Sequence, residues 1–165
     1  MNIERKVLIF DTGPLRELIL YEAVHTLGFK RLATGLTYLR SDTHRDRLSQ
    51  FILSFQNRTT TPQVVAEISD WIIRTISHGR GDFWTVVYRE FRGMGMDERL
   101  IKLLEMPRDH VAKLGAVDTS LLTLGSSFEP GAPVVLSIDG SLVTKCKHSG
   151  VAALDLWEVI AGPGS

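Results

Sequence analysis

The sequence predicts an α/β domain of three layers, in which helices cover both faces of a mainly parallel central sheet. Two short and mostly apolar runs, Val7–Phe10 and Pro133–Ile138, are typical of strands buried on both faces. Each run is followed directly by an aspartate, Asp11 or Asp139. Segments with helical periodicity alternate with the apolar runs, as a parallel sheet with helical crossovers requires.

Turn residues and periodic apolar positions predict the other elements. Pro14 suits the first turn of a helix, where its missing N–H leaves no hydrogen bond unmade, and Gly28 suits the end of that helix. Further along the chain we expect a helix over 41–55, a strand over 58–61, helices over 62–78, 83–91, 109–114 and 116–124, and a strand over 151–156. The glycine pairs at 79–81 and 93–95 are predicted to be turns, and 100–106 fits either a helix or a strand.

The composition fits one folded domain and excludes two classes of protein. Of 165 residues, 44% are hydrophobic, and 19 lysines and arginines balance 19 aspartates and glutamates. The chain is therefore neither a histone-like polycation nor an acidic disordered tail. We expect one domain over residues 1–160, followed by a flexible tail over 161–165. A neutral total still allows the acids to be concentrated at one place.

The cysteine content and the amino-terminal segment predict a cytoplasmic protein with no membrane partner. Cys146 is the only cysteine, so the chain has no internal disulfide and no pair of thiols for a zinc site. The apolar run at Val7–Phe10 has four residues, which is too short for the core of a signal peptide or for a membrane span.

Asp11 and Asp139 are the first two candidate site residues, because ligands of parallel sheets bind at the carboxyl ends of the strands. Glu67 and Asp118 are the other two. Glu67 lies three residues after Val64 on a predicted helix, which places it against apolar neighbours. Asp118 lies on the apolar stripe of its own helix. Helix capping for Asp11 and Asp139, and structural ion pairs for Glu67 and Asp118, are the alternatives left open.

A single divalent-cation site would account for all four acids. Carboxylates crowded at one sheet edge repel each other, which raises their pKa values and destabilises the metal-free protein. Mg²⁺ or Mn²⁺ removes that repulsion because hard cations prefer oxygen ligands. Such a site can align a water molecule with a phosphodiester and stabilise the charge that develops during hydrolysis.

Four segments of the chain resemble PIN-domain nucleases, in the order found in that family. They are residues 7–15, 61–68, 114–122 and 134–142, and the similarity extends over nearly the whole chain. The resemblance implies a Rossmann-like α/β/α sandwich. It also implies an endoribonuclease that hydrolyses single-stranded RNA with Mg²⁺ or Mn²⁺.

The resemblance assigns metal ligation and catalysis to Asp11, Glu67, Asp118 and Asp139. It places hydroxyl groups beside these acids at Thr12 and Ser137, which we expect to orient a carboxylate or a water molecule. Three basic residues near the acids could bind substrate phosphate, with surface solubility as the alternative: Arg16, Lys145 and Lys147. The five histidines share no spacing and are given no role in catalysis.

Several alternatives remain open at the level of sequence. The chain is longer than the compact VapC-like toxins and has Gly140–Leu142 where many members place a further acid or an aromatic residue. Membership of a toxin–antitoxin pair, with an antitoxin-like protein partner, is therefore one version of the nuclease hypothesis. The other is an inactive PIN-like binding or scaffold module. A haloacid dehalogenase-type phosphotransferase needs a second aspartate at position 13, which is Gly13 here, and a receiver domain needs an acidic pair before its first helix.

Oligomeric state is also left open. Four aromatic residues could form a homodimer interface or could pack in the core: Phe51, Phe55, Trp84 and Tyr88.

Overall fold

The computed structural model describes residues 6–161 and has the predicted α/β fold, with a Rossmann-like parallel sheet flanked by helices. All five strands are parallel and stand in the order β3-β2-β1-β4-β5. The strands are β1 (Val7–Phe10), β2 (Asn57–Thr60), β3 (Met96–Glu98), β4 (Pro133–Ser137) and β5 (Ala152–Asp155). The helices are α1 (Thr12–Thr26), α2 (Asp42–Leu53), α3 (Pro62–Thr75), α4 (Arg80–Met94), α5 (Arg108–Ser126), α6 (Gly140–His148) and α7 (Leu156–Ile160). Short 3-10 helices occur at Lys30–Gly35 and Leu103–Glu105.

The order of the strands reverses between β1 and β4. Every residue of these two strands is buried, which explains why both are apolar runs in the sequence. From β1 the chain first crosses to β2 on one side, and it later returns to add β4 on the other side. In open parallel sheets ligands bind beyond the carboxyl ends of the strands at this reversal. Asp11 and Asp139 follow the two strands that border it.

Helix α5 is divided at Gly115, as the two predicted helical segments require. Gly115 has φ 82° and ψ 170°, a backbone conformation that side-chain-bearing residues rarely adopt. The helix restarts at the next residue, so Asp118 lies in the first turn of the second segment. The kink therefore decides where Asp118 stands relative to the sheet.

One buried acid, Glu17, holds the chain that follows the first 3-10 helix. Its side chain is 3% exposed and accepts hydrogen bonds from three consecutive backbone amides. The amide of Thr37 donates to Oε1 at 2.9 Å, and those of Tyr38 and Leu39 donate to Oε2 at 2.9 and 3.1 Å. These bonds satisfy the buried carboxylate and anchor the loop between α1 and α2.

Four elements differ from the sequence prediction. Helices α6 and α7 are not predicted, because nine and five residues are too few to establish a helical period. Strand β3 is also missed, since it is an edge strand of three residues with two exposed acids and no apolar run. Helix α4 includes most of the two predicted glycine turns, whose left-handed residues Gly79 and Gly95 cap its ends. The ambiguous segment 100–106 is neither a long helix nor a strand.

The remaining predictions concern surfaces and termini. Phe55 is 2% exposed and packs in the core, which is one of the two alternatives left open for it, whereas Tyr88 is 70% exposed. Phe51 and Trp84 are half-buried against the core. None of the helices within residues 6–161 is both long and apolar enough to cross a membrane. Residues 162–165 of the predicted tail lie outside the described residues.

Candidate functional site

A cleft of about 520 Å³ lies at the carboxyl edge of the sheet and is lined by all four acids that the sequence singles out. Asp11 follows β1, Asp139 follows β4, Glu67 lies on α3 and Asp118 lies on α5. The fold therefore brings together residues from four separate parts of the chain. Thr12, Gly13 and Arg16 of α1 line the same cleft.

Asp11 is the most buried of the four acids. Its side chain is 7% exposed and caps α1, with Oδ1 accepting from the amide of Thr12 at 2.6 Å. Oδ2 accepts from the hydroxyl of Ser137 at 2.6 Å. Burial raises the pKa of Asp11, and the hydrogen bonds from Ser137 and Thr12 offset part of that rise. Asp11 is thus both the cap of α1 and a lining residue of the cleft.

Ser137 connects Asp11 to Asp139. While its hydroxyl donates to Asp11, its oxygen accepts from the amide of Asp139 at 2.9 Å. Asp139 is exposed and caps α6, with Oδ1 accepting from the amides of Ser141 and Leu142 at 2.8 and 3.4 Å. The buried serine therefore fixes the spacing of the two strand-end acids, although one oxygen of Asp139 is already engaged by the helix.

Asp118 has the most perturbed carboxyl group of the cleft. It is half-buried, and its pKa rises to about 6. Burial is the largest cause, followed by the negative charges of Asp11 and Asp139, while the positive charge of Lys145 lowers the pKa. The carboxylates are therefore near enough to repel one another, as the sequence predicts.

Glu67 is placed differently from its prediction. The helical spacing predicts apolar neighbours, but the side chain is exposed at the cleft, because the apolar stripe of α3 is formed by Val64, Ile68 and Ile72. Oε2 of Glu67 accepts a hydrogen bond of 2.5 Å from the hydroxyl of Thr12. The contact joins α3 to the start of α1 across the cleft.

Three of the acids lie at the beginnings of helical segments. Asp11 and Asp139 cap α1 and α6, and Asp118 lies in the first turn after the Gly115 kink. The positive ends of these helix dipoles favour negative charge in the cleft. They offset part of the repulsion among the carboxylates and help to keep an acidic cluster compatible with folding.

The chemistry of these donors fits a hard divalent cation, but their side chains are not gathered around one point. Carboxylate and hydroxyl oxygens suit Mg²⁺ and Mn²⁺. Within residues 6–161, no three His, Cys, Asp or Glu side chains stand close enough together to hold one metal ion. Glu67 and Asp139 are the two exposed members of the set, whereas Asp11 is buried and Asp118 is half-buried.

The three predicted phosphate-binding residues fall in different places. Arg16 lines the cleft, and its Cζ lies 5.5 Å from the centre of the Trp71 ring. Lys145 is half-buried on α6 and does not line the cleft, but its charge acts on Asp118. Lys147 is exposed on α6 and also lies outside the lining.

Sequence reasoning missed six further lining residues. Four belong to α3 and follow Glu67 along one face of the helix: Asp70, Trp71, Arg74 and Thr75. Their spacing of three and four residues is a helical signal that could have identified them. The other two are Gly13 and Ile138, which face each other, since a Cβ added at Gly13 would lie 2.3 Å from Cγ1 of Ile138. Glycine is needed there because α1 and the end of β4 approach closely.

Comparison of the chain with protein-family models gives no match, and comparison with curated proteins gives none.

Proposed function

We propose that this protein is a metal-dependent endoribonuclease of the PIN-like type, which hydrolyses phosphodiester bonds in single-stranded RNA. The observation that carries the proposal is the presence of four carboxylates, from four separate elements, in one cleft at the reversal point of a Rossmann-like sheet. Glu67, Asp118 and the two strand-end aspartates are the residues that would hold Mg²⁺ or Mn²⁺.

The protein's own residues supply positioning and charge. Ser137 and the amide of Thr12 keep both oxygens of Asp11 in fixed directions. The Thr12 hydroxyl holds Glu67 at the opposite wall, and Arg16 provides a positive charge for the substrate phosphate. When bound, the cation would lower the pKa of a water molecule and offset the negative charge that builds up on the phosphate.

One observation favours the second candidate, a PIN-like binding or scaffold module without catalytic activity. The carboxylates share the cleft without converging, and Asp139 uses an oxygen to cap α6. In that case the acids would serve helix capping and packing. Membership of a toxin–antitoxin pair is a version of the nuclease proposal, and a neighbouring gene for a small DNA-binding protein would support it.

Cleavage of labelled single-stranded RNA in Mg²⁺, Mn²⁺ or EDTA tests the nuclease proposal. We expect cleavage only with a metal ion, and its loss in Asp11→Asn and in Asp118→Asn. Glu129→Gln is the matched control, because it removes an exposed carboxylate that lies outside the cleft. Activity that survives both aspartate substitutions and EDTA would refute the proposed mechanism.

Calorimetric titration with Mn²⁺ separates the two candidates. The nuclease proposal expects binding that Asp118→Asn weakens and Glu129→Gln leaves intact. Absence of both metal binding and RNA cleavage would instead favour the scaffold module.

A further inference from the structure

A second cavity of about 280 Å³ adjoins the acidic cleft and shares part of its wall. The two cavities have Arg16, Trp71 and Thr75 in common. The far side of the second cavity is formed by Leu20 of α1 and by the 3-10 helix Lys30–Gly35, which contributes Arg31. We call this second cavity the arginine pocket. A ligand in the acidic cleft can therefore extend into it past Arg16 and Trp71.

The charge of the arginine pocket is opposite to that of the cleft. Its lining contains Arg16 and Arg31 and no acidic residue. Across the part of the chain that the structure describes, neither arginine has a carboxylate within 4.0 Å. Both guanidinium groups therefore keep their hydrogen-bond donors available for an anion. An extended polyanion could place one phosphate near the acids and a neighbouring one here.

The shared wall also has planar groups suited to a nucleobase. The guanidinium of Arg16 lies over the Trp71 ring, with Cζ 5.5 Å from its centre. Phe83, which is fully buried, packs its edge against Trp71 at 5.7 Å and 67° and thereby holds the indole in place. Unstacked bases of single-stranded RNA stack on aromatic rings and on arginine planes.

We propose that the arginine pocket binds the nucleotide next to the scissile phosphodiester, so that the RNA strand crosses from the acidic cleft over Arg16 and Trp71 toward Arg31. The proposal rests on the proposed function for the position of the scissile bond. A single strand fits the arginine pocket because one base and its phosphate can enter it, whereas the paired and stacked bases of a duplex cannot.

Fluorescence anisotropy in EDTA tests RNA binding without cleavage. The probe is a fluorescein-labelled, mixed-sequence single-stranded RNA, and the variants are Arg16→Gln and Arg31→Gln. Each should weaken binding and reduce the slope of log affinity against log salt by about 0.7, the value for one phosphate contact on a single strand. Arg108→Gln is the matched control, since it removes an exposed arginine that lines neither cavity.

A second variant tests base stacking. Trp71→Leu keeps an apolar side chain against Phe83 but removes the aromatic plane, so it should weaken binding by about fivefold or more. Circular dichroism of each variant checks that the fold is kept. Arg31 lies on an exposed 3-10 helix, so its substitution should not disturb the core. Arg31→Gln therefore tests the arginine pocket even if the tryptophan variant fails to fold.

Each outcome decides the proposal. Weaker binding in the pocket variants with normal binding in Arg108→Gln supports it. Unchanged affinity in Arg16→Gln and Arg31→Gln overturns it, as does equally tight binding of duplex RNA. If RNA binds in the arginine pocket but is not cleaved with either Mg²⁺ or Mn²⁺, the nuclease proposal fails and the RNA-binding site stands. If the wild type cleaves RNA but the pocket variants bind RNA normally, the nuclease proposal stands and the arginine-pocket proposal fails.

Discussion

Replacing Asp118 by asparagine should stabilise the metal-free protein, because Asp118 carries an unfavourable charge. Its pKa rises from an ordinary 3.8 to about 6, and one pKa unit corresponds to about 1.4 kcal/mol. Ionising this carboxyl in the folded state therefore costs at most about 3 kcal/mol. The side chain is half-buried and partly screened by water, so we expect Asp118→Asn to gain about 1–2 kcal/mol at neutral pH. No hydrogen bond made by the Asp118 side chain is lost within residues 6–161.

The pH dependence of this gain follows from the direction of the pKa shift. A raised pKa in the folded state means that the folded protein holds the proton more tightly than the unfolded chain. The penalty is therefore complete above the folded pKa of about 6 and disappears below the unfolded pKa of 3.8. Wild type and Asp118→Asn should differ at about pH 8 and converge at about pH 3.5.

Urea unfolding in EDTA across this pH range measures the difference. In thermal unfolding the gain corresponds to a rise in Tm of about 2–8 °C for a domain of this size. Glu129→Gln, which removes an exposed carboxylate outside the cleft, should leave stability unchanged within about 0.5 kcal/mol. Equal or lower stability of Asp118→Asn at about pH 8, or a gain that persists at about pH 3.5, would show that the charge of Asp118 does not destabilise the fold.

Three further predictions test packing and buried side chains in the fold. Gly13→Ala should destabilise the protein by about 1–3 kcal/mol, because the new Cβ would lie 2.3 Å from Cγ1 of Ile138. Adding Ile138→Ala should recover part of that loss in urea unfolding, and additive losses would contradict the contact. Glu17→Gln should cost about 2–3 kcal/mol and speed amide hydrogen exchange at 37–39, because an NH₂ group would replace an acceptor of backbone amides. Unchanged exchange there would show that the carboxylate does not anchor the loop. Cys146 is fully buried and burial raises its pKa to about 12, so labelling by a thiol reagent should proceed only as fast as the protein unfolds. Rapid labelling under native conditions would contradict its burial.

The candidate site could be predicted from sequence only in part. Asp11 and Asp139 are visible because each ends an apolar strand, and parallel strands bring their carboxyl ends to one edge. Asp118 is visible as an acid on an apolar stripe. Glu67 reaches the same cleft, but for a different reason from the one predicted, since its side chain is exposed and held by Thr12.

The arginine pocket could not be predicted from sequence. Arg16 and Trp71 belong to different helices, and their stacking depends on how α1 packs against α3. Arg31 lies on a short 3-10 helix whose position is set by contacts with α1, and no periodic pattern marks it. Each residue alone is an ordinary surface or core side chain. They line one pocket only because the helices pack together in this way.

The fold class, the two central strands and the break in α5 can all be inferred from the amino-acid sequence. These features depend on local patterns: apolar runs, proline and glycine positions and helical periods act over a few neighbouring residues. The tertiary structure decided the remainder, namely the order of the strands, the edge strand β3, the exposure of Glu67 and the sharing of Ser137 by Asp11 and Asp139. Distances between side chains far apart in the chain depend on how the helices pack on the sheet, and no local pattern encodes that packing.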